Sequence, residues 1–418
     1  MCSATIAFMM SDIFPASLAV ARSRLSPAAR ATEDARRSRL DGAAGGLSPY
    51  LTHGLLSVPE VAASVAGQAR QTGAALLRQL GRREYFQHVW HHLGDAILRP
   101  LQPGPRAQAD YARVLPDDIR QARCGVPAID SAVRQLYAQG WLHHQARLWL
   151  ASYVVHVRGV HWRSGADWML GHLLDGDLAS NHLSWQCVAG IGSQKPGLFN
   201  AEQVAGLAAG LPGWASPGSV IDTRYEVLAN WAFGQSPLPT SLPGPAPGAA
   251  GGAPAGQAEP PLWHSPPADL QAALLPPLPQ TLTGRRVWLV HPWSLGDPPA
   301  GLPTGLPGDG PLRLGVWPAE HFAAWAWSAA RWHFVAQRLA QLTDRVVWAD
   351  TALLQRLLVS AASVTCQDNG HLPAAWPAAW RQPPPRLLAD PEQLCASFSQ
   401  FWRTVQRSAP PGGQRPGD

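Results

Sequence analysis

The chain has 418 residues, 46% hydrophobic and 15% charged, enough to bury one large core or two ordinary ones. No apolar run approaches the ~20 residues that a membrane-spanning helix needs, so a soluble protein of two domains with no membrane partner is expected. The net charge of +5 permits contact with a polyanion without arguing for one, because Lys195 is the sole lysine and the wealth of Arg, Ala, Gly and Pro reads as a coding bias.

The opening MCSATIAFMM lacks the basic start of a secretory signal, Met10 is an alternative initiator, and residues 1–40 read as a lead-in. From 41 to 234 the pattern is helices joined by short loops, with apolar residues returning every three or four positions, as in Ile129, Val133, Leu136 and Tyr137. Ser57 followed by Glu60 predicts a capping box at one helix start. Residues 235–284 are too rich in Pro and Gly for regular structure and too poor in large apolar groups for a core, which predicts a linker. Beyond it, from 285 to 408, short β-rich runs at 286–290, 312–317 and 346–349 alternate with a helical stretch at 328–342, the pattern of a parallel α/β sheet. The expected architecture is therefore mainly α, a helical domain followed by a linker and a smaller α/β, Rossmann-like domain. Five cysteines, Cys2, Cys124, Cys187, Cys366 and Cys395, lie far apart with no C-x-x-C pair, pointing to a reducing cytoplasm and no metal.

Polar groups concentrate in GWLHHQARLWLASYVVHVRGVHW, from Gly140 to Trp162, and in LLDGDLASNHLSWQCVAG, from Leu173 to Gly190. Asp177, Asn181 and Trp185 are spaced by four, so on a helix they share one face. Arg147 sits among apolar residues and needs an anionic partner, for which Asp175 and Asp177 are both candidates. Taken singly, each of these residues is more often a structural ion pair or a core ring than a ligand contact.

Their combination resembles a known family. G-W-x-H-x-x-x-R, then L-x-D-G-D-L-A-x-N, then W-Q is similar to the flavin-binding signature of the photolyase/cryptochrome family, in order and separation. LSPYLTHGLLS (Leu47 to Ser57), RREYFQH (Arg82 to His88) and SQKPGLFNAEQV (Ser193 to Val204) resemble further segments of that family. The resemblance implies an FAD cofactor, with Leu47 and Ser48 near its phosphates and Arg83 beside it. Trp141, His144 and Arg147 would lie along the flavin, Asp175, Gly176 and Asp177 would hold the isoalloxazine ring, and Asn181 would face N5. An asparagine there resembles photolyases more than plant or animal cryptochromes. Trp185 and Trp162 match the inner members of the family's electron-transfer chain; no tryptophan stands in DYARVLPDDIRQ (Asp110 to Gln121), which leaves Tyr111 as the candidate outer donor.

The implied activity is that of a lyase, a blue-light-driven DNA photolyase acting on pyrimidine dimers, with catalytic roles for Trp185, Trp162, Asn181 and His144. Departures weigh against it. In the substrate pocket the family's stacking tryptophan is Arg82 and its acid is Gln79. His144 resembles the HH-x-AR run of (6-4) photolyases, whose second histidine would fall at Leu148, and Ala44 and Gly45 replace phosphate-binding hydroxyls. The alternative is a cryptochrome-like photoreceptor or redox flavoprotein without repair activity. VWLVHPWSLGDPPA (Val287 to Ala300), SAARWHFVAQRLAQL (Ser328 to Leu342) and SFSQFWRTV (Ser397 to Val405) resemble the family's α/β domain, here relocated to the C-terminus. An antenna chromophore is not legible.

Overall fold

A computed structural model describes residues 13–26, 40, 46–65, 70–239, 256–274, 279–297 and 311–408. Met10, Ala44, Gly45 and the segment 298–300 of the α/β resemblance lie outside the described residues. The helical run comprises α1 (Leu18–Ser23), α2 (Ser48–Thr52), α3 (Val58–Ala63), α4 (Arg70–Leu93), α5 (Pro127–Gln139), α6 (His144–Ser152), α7 (Trp162–His172), α8 (Leu178–Val188), α9 (Ala201–Leu207) and α10 (Tyr225–Ala232). After it come β1 (Leu262–Trp263), β2 (Arg286–Val290), β3 (Leu312–Pro318), α11 (Ala319–Ala324), β4 (Trp327–Ser328) and α12 (Ala329–Leu342). The chain ends with β5 (Arg345–Ala349), α13 (Thr351–Leu358), β6 (Ser363–Gln367), β7 (Arg381–Gln382) and α14 (Phe398–Ser408).

Contacts divide the chain into two compact units, one of residues 1–29, 46–88 and 261–418, the other of residues 30–45 and 89–260. The division is discontinuous along the chain, where the sequence reading drew linear domains.

The first unit carries a five-stranded sheet, all parallel, in the order β5-β3-β2-β6-β7. Chain direction reverses its lateral progress at β2, the topology of a doubly wound α/β fold, so the expectation of helices plus a parallel sheet holds. In such sheets the ligand crevice lies beyond the carboxyl ends of the strands at that switch point. Side chains meet at that end of the sheet here. His291, directly after β2, bonds the Gln367 carbonyl at the end of β6 at 2.7 Å, and Trp293 stacks on His371 with centroids 4.7 Å apart and planes 6° from parallel. Burial pushes His291 down to about 4. Ser57 caps α3 as expected, accepting from the Glu60 N–H at 3.2 Å, but the reciprocal half of the capping box is missing because Glu60 turns to Arg22 at 2.8 Å.

The second unit is helical. α5 opens with proline at its first position, buries Ile129, Val133, Leu136 and Tyr137 as the periodicity predicts, and stops at Gly140, whose φ of +59° suits a residue without Cβ. After α6 the chain widens into a π turn, Tyr153–Val157, all five residues buried.

Of the expected linker, residues 240–255 and 275–278 lie outside the described residues, and the part from 256 to 274 carries more regular structure than its composition implied. Residues 256–274 are ordered: β1 pairs antiparallel with β4, Trp332 Nε1 donates to the Trp263 carbonyl at 3.3 Å, and Ala268–Gln271 forms a helical turn. The acids Glu259 and Asp269 supply side-chain contacts that Pro and Gly cannot, each pairing with a histidine.

Candidate functional site

In the second unit, α6 starts at His144, with His143 as its cap: His143 Nδ1 accepts from the Gln145 N–H at 3.2 Å. One turn on, Arg147 reaches back, donating from Nε to the Leu142 carbonyl at 2.9 Å and from Nη2 to both oxygens of Asp175 at 3.0 and 2.7 Å. Asp175 is thus its partner, which the sequence left open between two acids. The Asp175 side chain is 3% exposed and that of Arg147 24%, so the pair is buried on its acidic side and accessible on its basic side.

Asp177 does something else. It lies just outside α8 as the N-cap, its Oδ1 accepting from the Ser180 N–H at 2.8 Å, so the expected stack of Asp177, Asn181 and Trp185 on one helix face begins a residue before the helix. Asn181 donates from Nδ2 to the Ala166 carbonyl on α7 at 2.8 Å, which ties the two helices and leaves Oδ1 as an acceptor. Beside it, Ser180 Oγ is buried with no hydrogen-bond partner. Trp141 and Asn181 are half-buried, Asp175, Gly176 and Asp177 buried, and His144 exposed.

Trp185, 2% exposed, brings the edge of its indole against α7 where Gly165 makes room: a methyl group there would overlap the ring. Trp162 opens α7, equally buried, with Nε1 unpartnered. Its ring neighbours are His161 at 5.6 Å and His182 at 6.1 Å. Tyr111 stands edge-on to His161 at 6.3 Å, with the Arg106 guanidinium 5.0 Å over its own ring. Burial, then the neighbouring Arg113 and Arg163, pushes His161 down to about 4, so it is neutral at physiological pH.

The remaining expected residues belong to the first unit. Leu47 is buried at the start of α2 and Ser48 half-buried beside it. On α4, Gln79 and Arg82 are exposed and Arg83 half-buried, with the Arg82 guanidinium 5.5 Å over the Phe398 ring of α14. Among the described residues, no group of three or more His, Cys, Asp or Glu is arranged to hold a metal, and no helix is long and apolar enough to cross a membrane.

Comparison with known proteins now decides the class of this segment. Residues 76–206 match the family described as FAD binding domain of DNA photolyase. They carry a photolyase-type FAD-binding domain. The deoxyribodipyrimidine photo-lyase of Streptomyces griseus is 35% identical over 164 residues, covering 38% of this chain and 35% of that protein. Cryptochrome-1 of Arabidopsis thaliana is 34% identical over 161 residues, covering 34% of this chain and 23% of that one. A class III photolyase structure from Agrobacterium tumefaciens aligns at 23% identity and a TM-score of 0.42 over 48% of this chain and 45% of that chain. The chain thus spans about a third of the length of the curated relatives it matches.

FAD is the cofactor of this domain, and the FAD-binding segment fits it. Arg147 offers a cation already balanced by Asp175, Asn181 offers an acceptor, and the orphaned Ser180 hydroxyl in the first turn of α8 gains from a polar ligand. Sequence reasoning missed Gly165, whose role is readable only once Trp185 is seen against it, and the His172–Glu259 contact described below.

Proposed function

We propose that this protein is a blue-light-driven DNA photolyase, a lyase that splits pyrimidine dimers in DNA by electron transfer from reduced FAD. Bound and reduced, FAD supplies the excited-state electron to the dimer and recovers it. Asn181 carries the reading: with Nδ2 given to Ala166, its Oδ1 is left to accept, and an acceptor beside flavin N5 favours the N5-protonated, electron-rich cofactor. Arg147, anchored by Asp175 and Leu142, keeps the N–H groups of Nη1 for an anionic flavin. Asp177, Gly176 and Trp141 complete the ring site, and His144, exposed at the start of α6, is assigned to the lesion by resemblance. Leu47, Ser48 and Arg83 are assigned to the cofactor by resemblance alone.

Trp185 and Trp162 would pass electrons to bound FAD. Beyond Trp162 the ring contacts run through His161 to Tyr111, which supports Tyr111 as the outer donor. The doubly wound order of the C-terminal sheet supports its reading as the family's α/β domain placed after the flavin domain. Among the described residues Cys124, Cys366 and Cys395 form no disulfide, which suits a reducing cytoplasm.

One observation favours a photoreceptor without repair. Arg82, where a lesion would be stacked, lies over the protein's own Phe398, and Gln79 brings no charge. An absorption spectrum before and after blue light, followed by dimer-containing single-stranded DNA added to the reduced protein, separates the two. Flavin bands that bleach, with dimers lost, establish the photolyase; bleaching without repair leaves the photoreceptor.

A further inference from the structure

The stretch 235–284 has only two acids, Glu259 and Asp269, and each takes a histidine. The Glu259 contacts form a closed circuit in the helical unit. Glu259 Oε1 lies 2.9 Å from His172 Nε2, and its Oε2 accepts from Arg120 at 2.5 Å. Arg120 gives its carbonyl to the Tyr137 hydroxyl at 2.8 Å, Trp168 Nε1 donates to that hydroxyl at 3.2 Å, and the Tyr137 ring lies 4.7 Å from His172. A neighbouring backbone bond, Gln257 N–H to the Gln121 carbonyl at 2.8 Å, holds the segment in place.

The position of His172 gives the circuit its meaning. It is the last residue of α7, and the chain then runs through Leu173 and Leu174 into Asp175, Gly176 and Asp177. The Leu174 N–H bonds the Gly140 carbonyl at 2.7 Å, so the same turn is tied to the residue before Trp141. We propose that Glu259 is a positioning residue: residues 256–260 act as a strap that fixes the end of α7 and thereby the aspartate turn that holds the flavin. This rests on the reading of Asp175 and Asp177 as flavin contacts.

The electrostatics suit a latch. Burial pushes His172 below its ordinary range, so at neutral pH it donates a neutral N–H to the carboxylate. Burial would raise Glu259, yet the hydrogen bonds from His172 and Arg120 leave it below its ordinary value. The groups facing the carboxylate are His172 on α7, Arg120 before α5, itself 3.5 Å from Asp117, and Tyr137 on α5, whose phenol burial keeps protonated. Because the folded-state value of Glu259 is depressed, the strap holds above the ordinary carboxylate range and loosens as pH falls through the depressed value.

The test uses the full chain. Glu259→Ala removes both acceptors, and Glu259→Gln keeps the shape with one acceptor oxygen for two donors. Asp269→Ala is the control, since Asp269 pairs with His333 in the other unit at 2.6 Å. Hydrogen exchange across residues 172–177, measured without flavin, is expected to accelerate about tenfold in Glu259→Ala, less in Glu259→Gln and not at all in Asp269→Ala. FAD affinity is expected to weaken in the same order, and the acid-side fall in FAD affinity of the wild type to flatten in Glu259→Gln. Unchanged exchange in Glu259→Ala overturns the strap, and faster exchange with unchanged FAD affinity overturns its positioning role. If the wild type binds no FAD while the exchange still changes, the strap stands and the flavin reading falls.

Discussion

Replacing Gly165 by alanine sets two effects of opposite sign against each other. Inside α7, alanine is worth about 1 kcal/mol over glycine through backbone entropy alone. The added methyl, however, overlaps the ring of Trp185, which is 2% exposed, and the next neighbour, Val154 Cγ1, is only 3.2 Å from the new carbon. Overpacking of this kind costs about 1–3 kcal/mol, and with a rigid indole against a helix backbone the upper end applies. The net is a loss of about 2 kcal/mol, or a Tm lowered by roughly 4–8 °C for a unit of this size. Gly206, near the end of α9 in the same unit, has nothing within 4 Å of the point where a methyl group would stand and supplies the internal comparison. There alanine gains roughly 0.5 kcal/mol and raises Tm by about 1–2 °C. Thermal unfolding followed by far-ultraviolet circular dichroism reads both. A Gly165→Ala protein that melts at or above the wild type would refute the packing argument.

Further outcomes follow from the same unit. Arg147→Met leaves Asp175 buried without its cation and costs about 2–3 kcal/mol, allowing for the partial exposure of Arg147, whereas Arg147→Met with Asp175→Asn recovers most of it. Strict additivity in a denaturant double-mutant cycle would mean the two do not act as a pair. Burial holds His156, like His291, down at about 4, below its unfolded value of about 6.5, so the unfolded chain binds more protons between the two values. The histidine contribution to stability is therefore complete above about pH 6.5 and is lost as pH falls towards 4; His156→Gln flattens that slope, and an unaltered slope assigns it elsewhere. Asp177→Ser retains a cap for α8 but not the charge. It is expected to fold normally and lose FAD on gel filtration; FAD retained at wild-type stoichiometry would confine Asp177 to capping. Trp185→Phe is expected to keep FAD and block its photoreduction, and normal bleaching in blue light would rule out the proposed electron path.

What the sequence could express was what depends on neighbours along the chain. The periodicity of Ile129, Val133, Leu136 and Tyr137 became the buried face of α5, and the predicted strand at 286–290 became β2 without change of boundary. Arg147 declared its need for an acid by sitting among apolar residues, yet the choice of Asp175 depended on where α8 begins, since the cap of that helix took Asp177. Composition misjudged 256–274 because the partners of Leu262, Trp263 and Glu259 are distant: Ser328 and Trp327 for the strand, His172 for the acid 87 residues away. No local rule encodes such pairings.

The discontinuous make-up of the sheet-bearing unit bears on how the protein is born. His88 bonds Asp390 through Nδ1 at 2.7 Å and receives the Cys395 N–H on Nε2 at 2.9 Å, partners 302 and 307 residues further along. At a synthesis rate of ~5–20 residues per second, α4 waits about 15–60 s at the ribosome before those partners exist. During that interval Leu76 and Leu80, buried in the finished fold, lack their cover, whereas the contacts from Val89 to Pro260 can close while translation continues. Premature termination anywhere between Pro260 and α14 therefore spares the helical unit and abandons the sheet-bearing one.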